Sequence, residues 1–168
     1  MAISNFLIEF LRTTFRLELD GIHGVAHWAR VRDHGLRLAM VTGANASVVE
    51  YFALLHDACR QNDGGDPEHG PRAARLAMAI REEHITLNDS DFDLLVLALE
   101  GHTWGTETQE ITVATCWDAD RLDLGRVNIV PDPRYLLTEP ARHPDTIDRA
   151  WRRSVAWREQ YMDKKLRA

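Results

Sequence analysis

The sequence contains no apolar run long enough to cross a membrane. A transmembrane helix needs about 20 apolar residues in succession, and no stretch of the 168-residue chain approaches that length. The apolar beginning, residues 1–15, is interrupted by Glu9 and Arg12, and no small-residue cleavage site follows it. It predicts an amphipathic first helix rather than a signal peptide. We therefore expect a protein that has no membrane partner.

Cysteine is scarce, and repeats are absent. Cys59 and Cys116 are the only cysteines, and each lies in an apolar helical context. This pattern favours reduced thiols in a core over a disulfide scaffold, and it predicts a cytoplasmic protein. The chain has no low-complexity tract, and 45% of its residues are hydrophobic. Its length predicts a single domain over residues 1–168.

An excess of positive charge is also missing. The formal net charge is −6, and no basic stripe is visible, which argues against an extended nucleic-acid partner. A small anionic substrate fits better, because arginine greatly outnumbers lysine and the guanidinium fork suits phosphate oxygens.

Patterns typical of β-strands are absent, and nearly every long segment has helical periodicity. The sequence therefore predicts an all-α fold, a compact helical bundle. After the first helix, we expect helices over about 22–41, from an N-cap at Ser47 to about 60, and over about 68–83, 90–101, 108–124 and 144–166. Gly43 is expected to close the second helix. The last helix carries Ile147, Trp151, Val155 and Met162 on one face, and it could close the bundle or form a homodimer contact.

Five metal-capable side chains continue the apolar stripes of these helices, and they are His27, His56, His69, His102 and Asp120. A carboxylate on an apolar stripe, such as that of Asp120, is costly unless it is paired or bound to a metal. Asp118 lies about 200° from Asp120 around the same helix and therefore does not lie on the apolar stripe. Asp123, about one turn after Asp120, is the local alternative. Asp57 directly follows His56 and adds a sixth candidate ligand.

A lone histidine on an apolar face is usually a hydrogen-bonded core residue. Four histidines with two aspartates reverse that preference and predict a buried divalent-metal site. His34 lies about 10 Å beyond His27 and His84 is about 22 Å from His69 along the predicted helices, so neither should bind the same ion. His143 is predicted to be a surface residue. His23 lies one turn before His27 and is predicted to support a ligand or contact the substrate.

The order of these residues resembles the HD superfamily of metal-dependent phosphohydrolases. Residues 27–31 (HWARV), 54–57 (LLHD) and 119–123 (ADRLD) are similar to its His, His-Asp and Asp motifs. Residues 69–74 (HGPRAA) and 101–103 (GHT) resemble the added motifs of the two-metal branch, as in HD-type diadenosine tetraphosphate hydrolases. A Gly-Tyr-Pro motif, typical of HD-type cyclic dinucleotide phosphodiesterases, is missing. The resemblance covers residues 20–128 and implies an HD-type helical core.

The resemblance implies two divalent ions. One would be held by His27, His56, Asp57 and Asp120, and the other by His69 and His102, with Asp57 bridging both. The residue types agree, because imidazoles and carboxylates suit Fe, Mn, Zn or Co, and no thiolate is present at these positions. Fe or Mn is favoured, with Co, Zn, Mg or Ni as alternatives.

The predicted activity is cleavage of a phosphoester or phosphoanhydride bond in a nucleotide or related small phosphate ester by a metal-activated water. Asp57, Arg60 and His23 are the predicted catalytic residues. Arg60 is also expected to contact substrate phosphate, although a solvated arginine at a helix end is an equal alternative. The other candidate substrate-binding residues are Arg72, Arg121 and Arg126.

Two other functions are compatible with the same residues. Some HD proteins with this six-ligand layout are di-iron oxygenases, which would require a redox-active metal pair. A non-catalytic nucleotide-binding regulatory module with a decayed site is the second alternative, and the complete ligand set argues against it.

Overall fold

The computed structural model describes residues 3–167, and within that range it contains helices and no strand. The helices are α1 (Asn5–Thr14), α2 (Val25–Thr42), α3 (Ala46–Leu55), α4 (His69–Ala79), α5 (Arg81–His84), α6 (Asp89–Gly101), α7 (Ile111–Leu122), α8 (Glu139–Arg142) and α9 (Pro144–Leu166). Two 3₁₀ segments span Asp123–Val127 and Pro133–Tyr135. The all-α prediction is confirmed. Met1 and Ala2 of the predicted first helix, and Ala168 of the predicted domain, lie outside the described residues.

The core forms where α2, α3, α6 and α7 pack on one another, with α4 against α6 and α1 covering one side. Phe52, Leu55, Leu95 and Leu99 are fully buried there. Gly35 lets α2 approach α3 closely, because a Cβ at this position would lie 2.4 Å from a Val49 methyl carbon. Within residues 3–167, no helix is both long enough and apolar enough to span a bilayer.

The last helix, α9, packs on the core. Its buried residues Ala150 and Ser154 face the 3₁₀ segment Asp123–Val127, where Gly125 leaves room for the Ser154 side chain. The predicted bounds of this helix agree with the structure. Met162, predicted on the packing face, is 44% exposed, so the packed face ends before it.

Several predicted helix ends were wrong. Asn45, not Ser47, is the N-cap of α3, since its side chain accepts hydrogen bonds from the amides of Ser47 and Val48. The same helix ends at Leu55 rather than near residue 60. The predicted helix over 68–83 is interrupted at Ile80, whose ψ of 6° leaves helical geometry.

The start of α2 was also misplaced. Residues 19–24 form tight turns, closed by hydrogen bonds from the Val25 amide to the Leu19 carbonyl and from the Gly24 amide to the Gly21 carbonyl. A Cβ at position 24 would lie 2.1 Å from the Leu19 carbonyl oxygen. The glycine therefore permits a sharp chain reversal that helical periodicity could not reveal. The helix predicted from about 108 likewise begins later, at Ile111.

Candidate metal centre

Four buried imidazoles meet in two pairs at the centre of the bundle. Nε2 of His27, in α2, lies 3.0 Å from Nε2 of His56, which caps the C-terminus of α3. Nε2 of His69, the first residue of α4, lies 2.7 Å from Nε2 of His102, the C-cap of α6. Three of these four histidines stand at helix ends, so separate helices converge on one point.

The second ring nitrogen of each histidine has its own partner. In His56, His69 and His102, Nδ1 lies within hydrogen-bonding distance of a main-chain carbonyl three or four residues earlier. A carbonyl only accepts, so Nδ1 must donate and Nε2 keeps its lone pair. Nδ1 of His27 lies 2.6 Å from a carboxylate oxygen of Asp123. This is the arrangement that prepares an imidazole to bind a metal.

Asp57 lies between the two histidine pairs. Its Oδ2 is 3.4 Å from Nε2 of His27 and 3.6 Å from Nε2 of His56. Its Oδ1 is 3.3 Å from Nε2 of His69 and 4.0 Å from Nε2 of His102. Each carboxylate oxygen thus faces a different pair, which is the geometry required of a bridging ligand.

Asp120 completes the first pair. Its Oδ1 lies 3.4 Å from Nε2 of His27 and 3.8 Å from Nε2 of His56. This oxygen is buried and has no hydrogen-bond partner among residues 3–167. A buried acceptor without a donor is costly, and a cation beside it would remove that cost. The donor set therefore fits a metal ion.

The six predicted ligands form two groups whose donor atoms lie within 4.8 Å of one another: His27, His56 and Asp120, and Asp57, His69 and His102. His23, His27 and Asp57 form a third such group. The structure thus brings together every side chain that the sequence placed at the metal site.

The electrostatics of the cluster favour ionised carboxylates. Burial raises the pKa of Asp57 and of Asp120, but the neighbouring histidines outweigh it and hold both well below the usual range. Burial lowers the pKa of His56 to about 3. Burial and Arg126 also lower the pKa of His27, but the adjacent carboxylates of Asp120, Asp123 and Asp57 raise it to about 9. A metal ion would have to displace that proton.

Asp123 has a role that the sequence did not indicate. It was considered only as an alternative ligand to Asp120, yet it lies behind His27 and is fully buried. Its carboxylate accepts hydrogen bonds from His27, from Arg30 through Nε at 2.6 Å and Nη2 at 3.0 Å, and from the Ser154 hydroxyl at 2.7 Å. Burial raises the pKa of Asp123, but His27, Arg30 and the charge of Arg126 lower it further than burial raises it.

Asp118 is also buried, but it faces away from the cluster. Its carboxylate accepts hydrogen bonds from the amides of Leu137 and Thr138 and from the Thr138 hydroxyl, each at 2.7 Å. Burial raises the pKa of Asp118. It anchors the segment that leads into α8, in agreement with its exclusion from the predicted ligands.

His23 lies in the turn before α2, not on the helix as predicted, because the glycine turn delays the helix until Val25. Its ring is nevertheless 6.2 Å from that of His27. Nδ1 of His23 donates to Oδ2 of Asp57 at 2.8 Å. The residue therefore holds the orientation of the Asp57 carboxylate.

A cavity of about 620 Å³ opens onto Asp57, His69, His102 and Asp120. Three of the four predicted arginines line it: Arg60, Arg121 and Arg126. Arg72 does not. It contacts the Cys59 carbonyl and Asp66, which lies in the glycine-rich loop of residues 61–67, and it lines a different, smaller cavity.

Each cavity arginine is already held by the chain. Arg60 donates to Oδ1 of Asp57 at 2.9 Å and to two carbonyls of the loop at residues 62 and 64. Arg126 donates to the Ile22 carbonyl at 3.1 Å, and its Nη2 lies 3.9 Å from Oδ1 of Asp120. Arg121 donates to main-chain carbonyls at residues 105 and 135. These contacts fix three guanidinium groups beside the candidate metal ligands.

Two aromatic residues of the same cavity were missed. Trp104 is 72% exposed and Tyr135 is 63% exposed. Both lie outside the α-helices, Trp104 in the turn after α6 and Tyr135 at the end of a 3₁₀ segment. Helical periodicity therefore gave no signal for them.

Comparison with known proteins identifies similar chains by sequence and by structure. No protein-family model matches the sequence. A symmetrical bis(5'-nucleosyl)-tetraphosphatase from Staphylococcus aureus is 27% identical over 120 residues, which cover 60% of this chain and 58% of that protein. This chain thus spans less than two thirds of that relative's length.

A solved structure of a predicted HD superfamily hydrolase from an uncultured Thermotogales bacterium superposes on this chain with a TM-score of 0.68 and 22% sequence identity. The match covers 95% of this chain and 91% of that one. The two chains share their fold, and this is the helical fold that the resemblance in the sequence motifs implied.

Proposed function

We propose that this chain is a metal-dependent phosphohydrolase that cleaves a phosphoester or phosphoanhydride bond of a nucleotide or related small phosphate ester. The observation that carries the proposal is the convergence of four imidazole Nε2 atoms and two carboxylates beside a cavity that three arginines line.

The proposed ligands divide between two ions. His27, His56, Asp57 and Asp120 would hold one, and His69, His102 and Asp57 the other. The split of the two Asp57 oxygens between the histidine pairs supports this assignment. Imidazole and carboxylate donors suit Fe or Mn, with Co, Zn, Mg or Ni as alternatives. When bound, such a pair supplies Lewis acidity and lowers the pKa of a water molecule.

The remaining residues of the site would orient and bind. His23 and Arg60 hold opposite oxygens of Asp57, so together they prevent the carboxylate from rotating away from the histidines. Arg126 and Arg121 offer further guanidinium groups to substrate phosphate. Arg72 has no geometric support as a substrate contact, since it lines another cavity.

A nucleotide is the proposed substrate class. The relative from Staphylococcus aureus carries the name of a dinucleoside tetraphosphatase. The exposed rings of Trp104 and Tyr135 line the same cavity as the arginines, and aromatic faces stack on bases. A cavity of about 620 Å³ lies within the usual range for small-molecule sites.

The direct test measures phosphate or nucleotide release by the chain loaded with Mn, or anaerobically with Fe(II), using diadenosine tetraphosphate and a panel of nucleotides. Asp57→Ala should abolish hydrolysis, because it removes the carboxylate shared by both histidine pairs. Asp63→Ala, which alters an exposed carboxylate in the nearby loop, is the matched control and should retain activity.

Three results would contradict the proposal. Undiminished hydrolysis in the Asp57→Ala variant would exclude the assigned site. Oxygen uptake by the iron-loaded chain without phosphate release would favour an oxygenase. Nucleotide binding without turnover under every metal would indicate a regulatory module.

A further inference from the structure

A second cavity, of about 380 Å³, lies apart from the metal centre, between α2, α8 and the beginning of α9. None of the residues that line it lines the cavity at the metal centre. His34, which faces it, is seven residues beyond His27 on α2, or about 10 Å along the helix axis. The two cavities are therefore separate.

Two helix faces supply the polar groups of this second cavity. His34 and Arg37 lie three residues apart on α2. His143, Thr146 and Arg149 recur every three residues from the N-cap of α9 onward. Residues three apart share a helix face, so both helices turn polar side chains toward the same space.

Some of these groups have no partner within residues 3–167. Arg149 makes no hydrogen bond or ion pair there. His34 is only 3% exposed, and its buried Nε2 has no hydrogen-bond partner. Arg37, by contrast, is paired with Asp33 at 3.0 Å. The residues that line this cavity thus include, within that range, an exposed arginine without a partner and a buried histidine whose Nε2 is unsatisfied.

The charge around the cavity favours an anion. The N-terminus of α9, a helix of 23 residues, brings the positive end of its dipole to this space. Glu139 is the one acidic side chain among the residues lining the cavity, and it is exposed. Burial lowers the pKa of His34 to about 4, so near neutral pH this ring can offer one N–H to an anion.

The other part of the lining is apolar. Leu38 and Leu122 are buried side chains on this wall, and Pro140 and Val41 extend it toward the opening. An inorganic anion would leave this surface uncovered. The volume lies within the range of small-molecule sites, which combine apolar walls with a few polar groups.

We propose that this cavity is a second binding site, for a small organic anion. The carboxylate, phosphate or sulfonate group of the ligand lies against Arg149 and His34 at the N-terminus of α9, and its apolar body lies against Leu38 and Leu122. The site is independent of the hydrolytic activity proposed above, since it shares no residue with the metal centre.

The test uses the fluorescent anion anilinonaphthalene sulfonate and its uncharged counterpart N-phenylnaphthylamine, each titrated into the folded, metal-loaded chain. The sulfonate probe should bind saturably at one site per chain. Because the uncharged probe has the same rings, it should bind at least about tenfold more weakly, as expected when a charge-assisted contact is missing.

Two variants locate the site. Arg149→Gln should raise the Kd of the sulfonate probe by about tenfold. Thr146→Trp should raise it as well, because the larger ring fills the cavity. Arg75→Gln, an exposed arginine on α4 that lines neither cavity, is the matched control and should leave the Kd within about twofold. Circular dichroism establishes whether each variant is folded. If Thr146→Trp does not fold, the Kd of Arg149→Gln alone tests the proposal.

Any of three results would overturn the proposal. The first is the absence of saturable binding of the sulfonate probe to the parent chain. The second is an equal Kd of this probe for Arg149→Gln and for the parent. The third is binding of the uncharged probe as tight as that of the anion, which would mean that the cavity selects apolar bodies without regard to charge.

Discussion

Replacing Asp123 by asparagine tests whether this buried carboxylate prepares His27 for metal binding. The carboxylate accepts from His27, from two nitrogens of Arg30 and from Ser154, and it is fully buried. Asparagine keeps the shape and one acceptor oxygen, but it removes the negative charge. The change therefore leaves the guanidinium of Arg30, itself buried, without its counter-charge.

Two separate losses follow. Breaking a buried ion pair on one side costs about 3 to 5 kcal/mol in the free energy of unfolding, and the remaining acceptor of asparagine favours the lower value, about 3 kcal/mol. For a chain of this length, that loss lowers the melting temperature by about 6 to 12 °C. Removing the partner that orients a ligating histidine typically lowers metal affinity by about 10- to 100-fold, equivalent to about 1.4 to 2.8 kcal/mol.

Two measurements separate the losses. Urea unfolding in the presence of a chelator gives the free energy of unfolding without metal, and competition against a chromophoric chelator gives the metal affinity. Asp118→Asn is the matched control, since Asp118 is an equally buried carboxylate that accepts three hydrogen bonds away from the site. It should be destabilised and yet keep the parent's metal affinity.

Metal binding by Asp123→Asn as tight as that of the parent chain would refute this role of Asp123. An equal loss of affinity in Asp118→Asn would refute it as well, because the effect would then follow from general destabilisation rather than from contact with His27.

Three further predictions concern the metal count, acid stability and helix packing. Metal analysis of His69→Ala and of His102→Ala should each show a loss of about one ion per chain with the other retained, and unchanged occupancy would contradict the two-ion assignment. Burial lowers the pKa of His34 from 6.5 to about 4, so the unfolded chain binds more protons between these values. The free energy of unfolding should therefore fall by up to about 3 kcal/mol as the pH falls from 6.5 to 4. His34→Gln should flatten that part of the pH profile in urea unfolding, and an unaltered profile would show that the ring is protonated in the folded state. Gly35→Ala should lower the free energy of unfolding by about 1 to 3 kcal/mol through overpacking, since its Cβ would lie 2.4 Å from a valine methyl carbon of α3. Gly65→Ala, whose Cβ would meet nothing within 4 Å, is the control, and equal melting temperatures for the two variants would contradict this account.

The helical stripes could be predicted from the sequence because their period is a property of the helix itself. A residue three or four positions from a buried leucine or phenylalanine lies on the same face, and this rule placed His27 and Asp120 toward the interior. The structure brings their side chains within 3.4 Å of each other. The helices bring these side chains together because their apolar stripes face the core shared by α2, α3, α6 and α7.

The parts that could not be predicted lie where helical spacing no longer applies. Asp123 follows the end of α7 in a 3₁₀ segment, His23 lies in a glycine turn, and Trp104 and Tyr135 lie outside the α-helices. The positions of these side chains depend on turn geometry and on which main-chain carbonyls are left free. Neither of these two factors produces a periodic pattern in the sequence. Arg72 was a candidate substrate contact because it lies close to the candidate ligands in the sequence, but in the structure it lines a different cavity from them.

The early end of α3 explains how one carboxylate can face both histidine pairs. Had the helix continued to residue 60, as predicted, Asp57 would project about 100° from His56 around the helix axis. Instead the helix ends at Leu55, and the next residues form turns closed by hydrogen bonds from the amides of Ala58 and Arg60 to the carbonyls of Leu55 and Asp57. His56, the C-cap, keeps helical backbone angles, whereas Asp57 lies in these turns beyond the end of the helix. The adjacent pair can then place an imidazole in one histidine pair and a carboxylate between both.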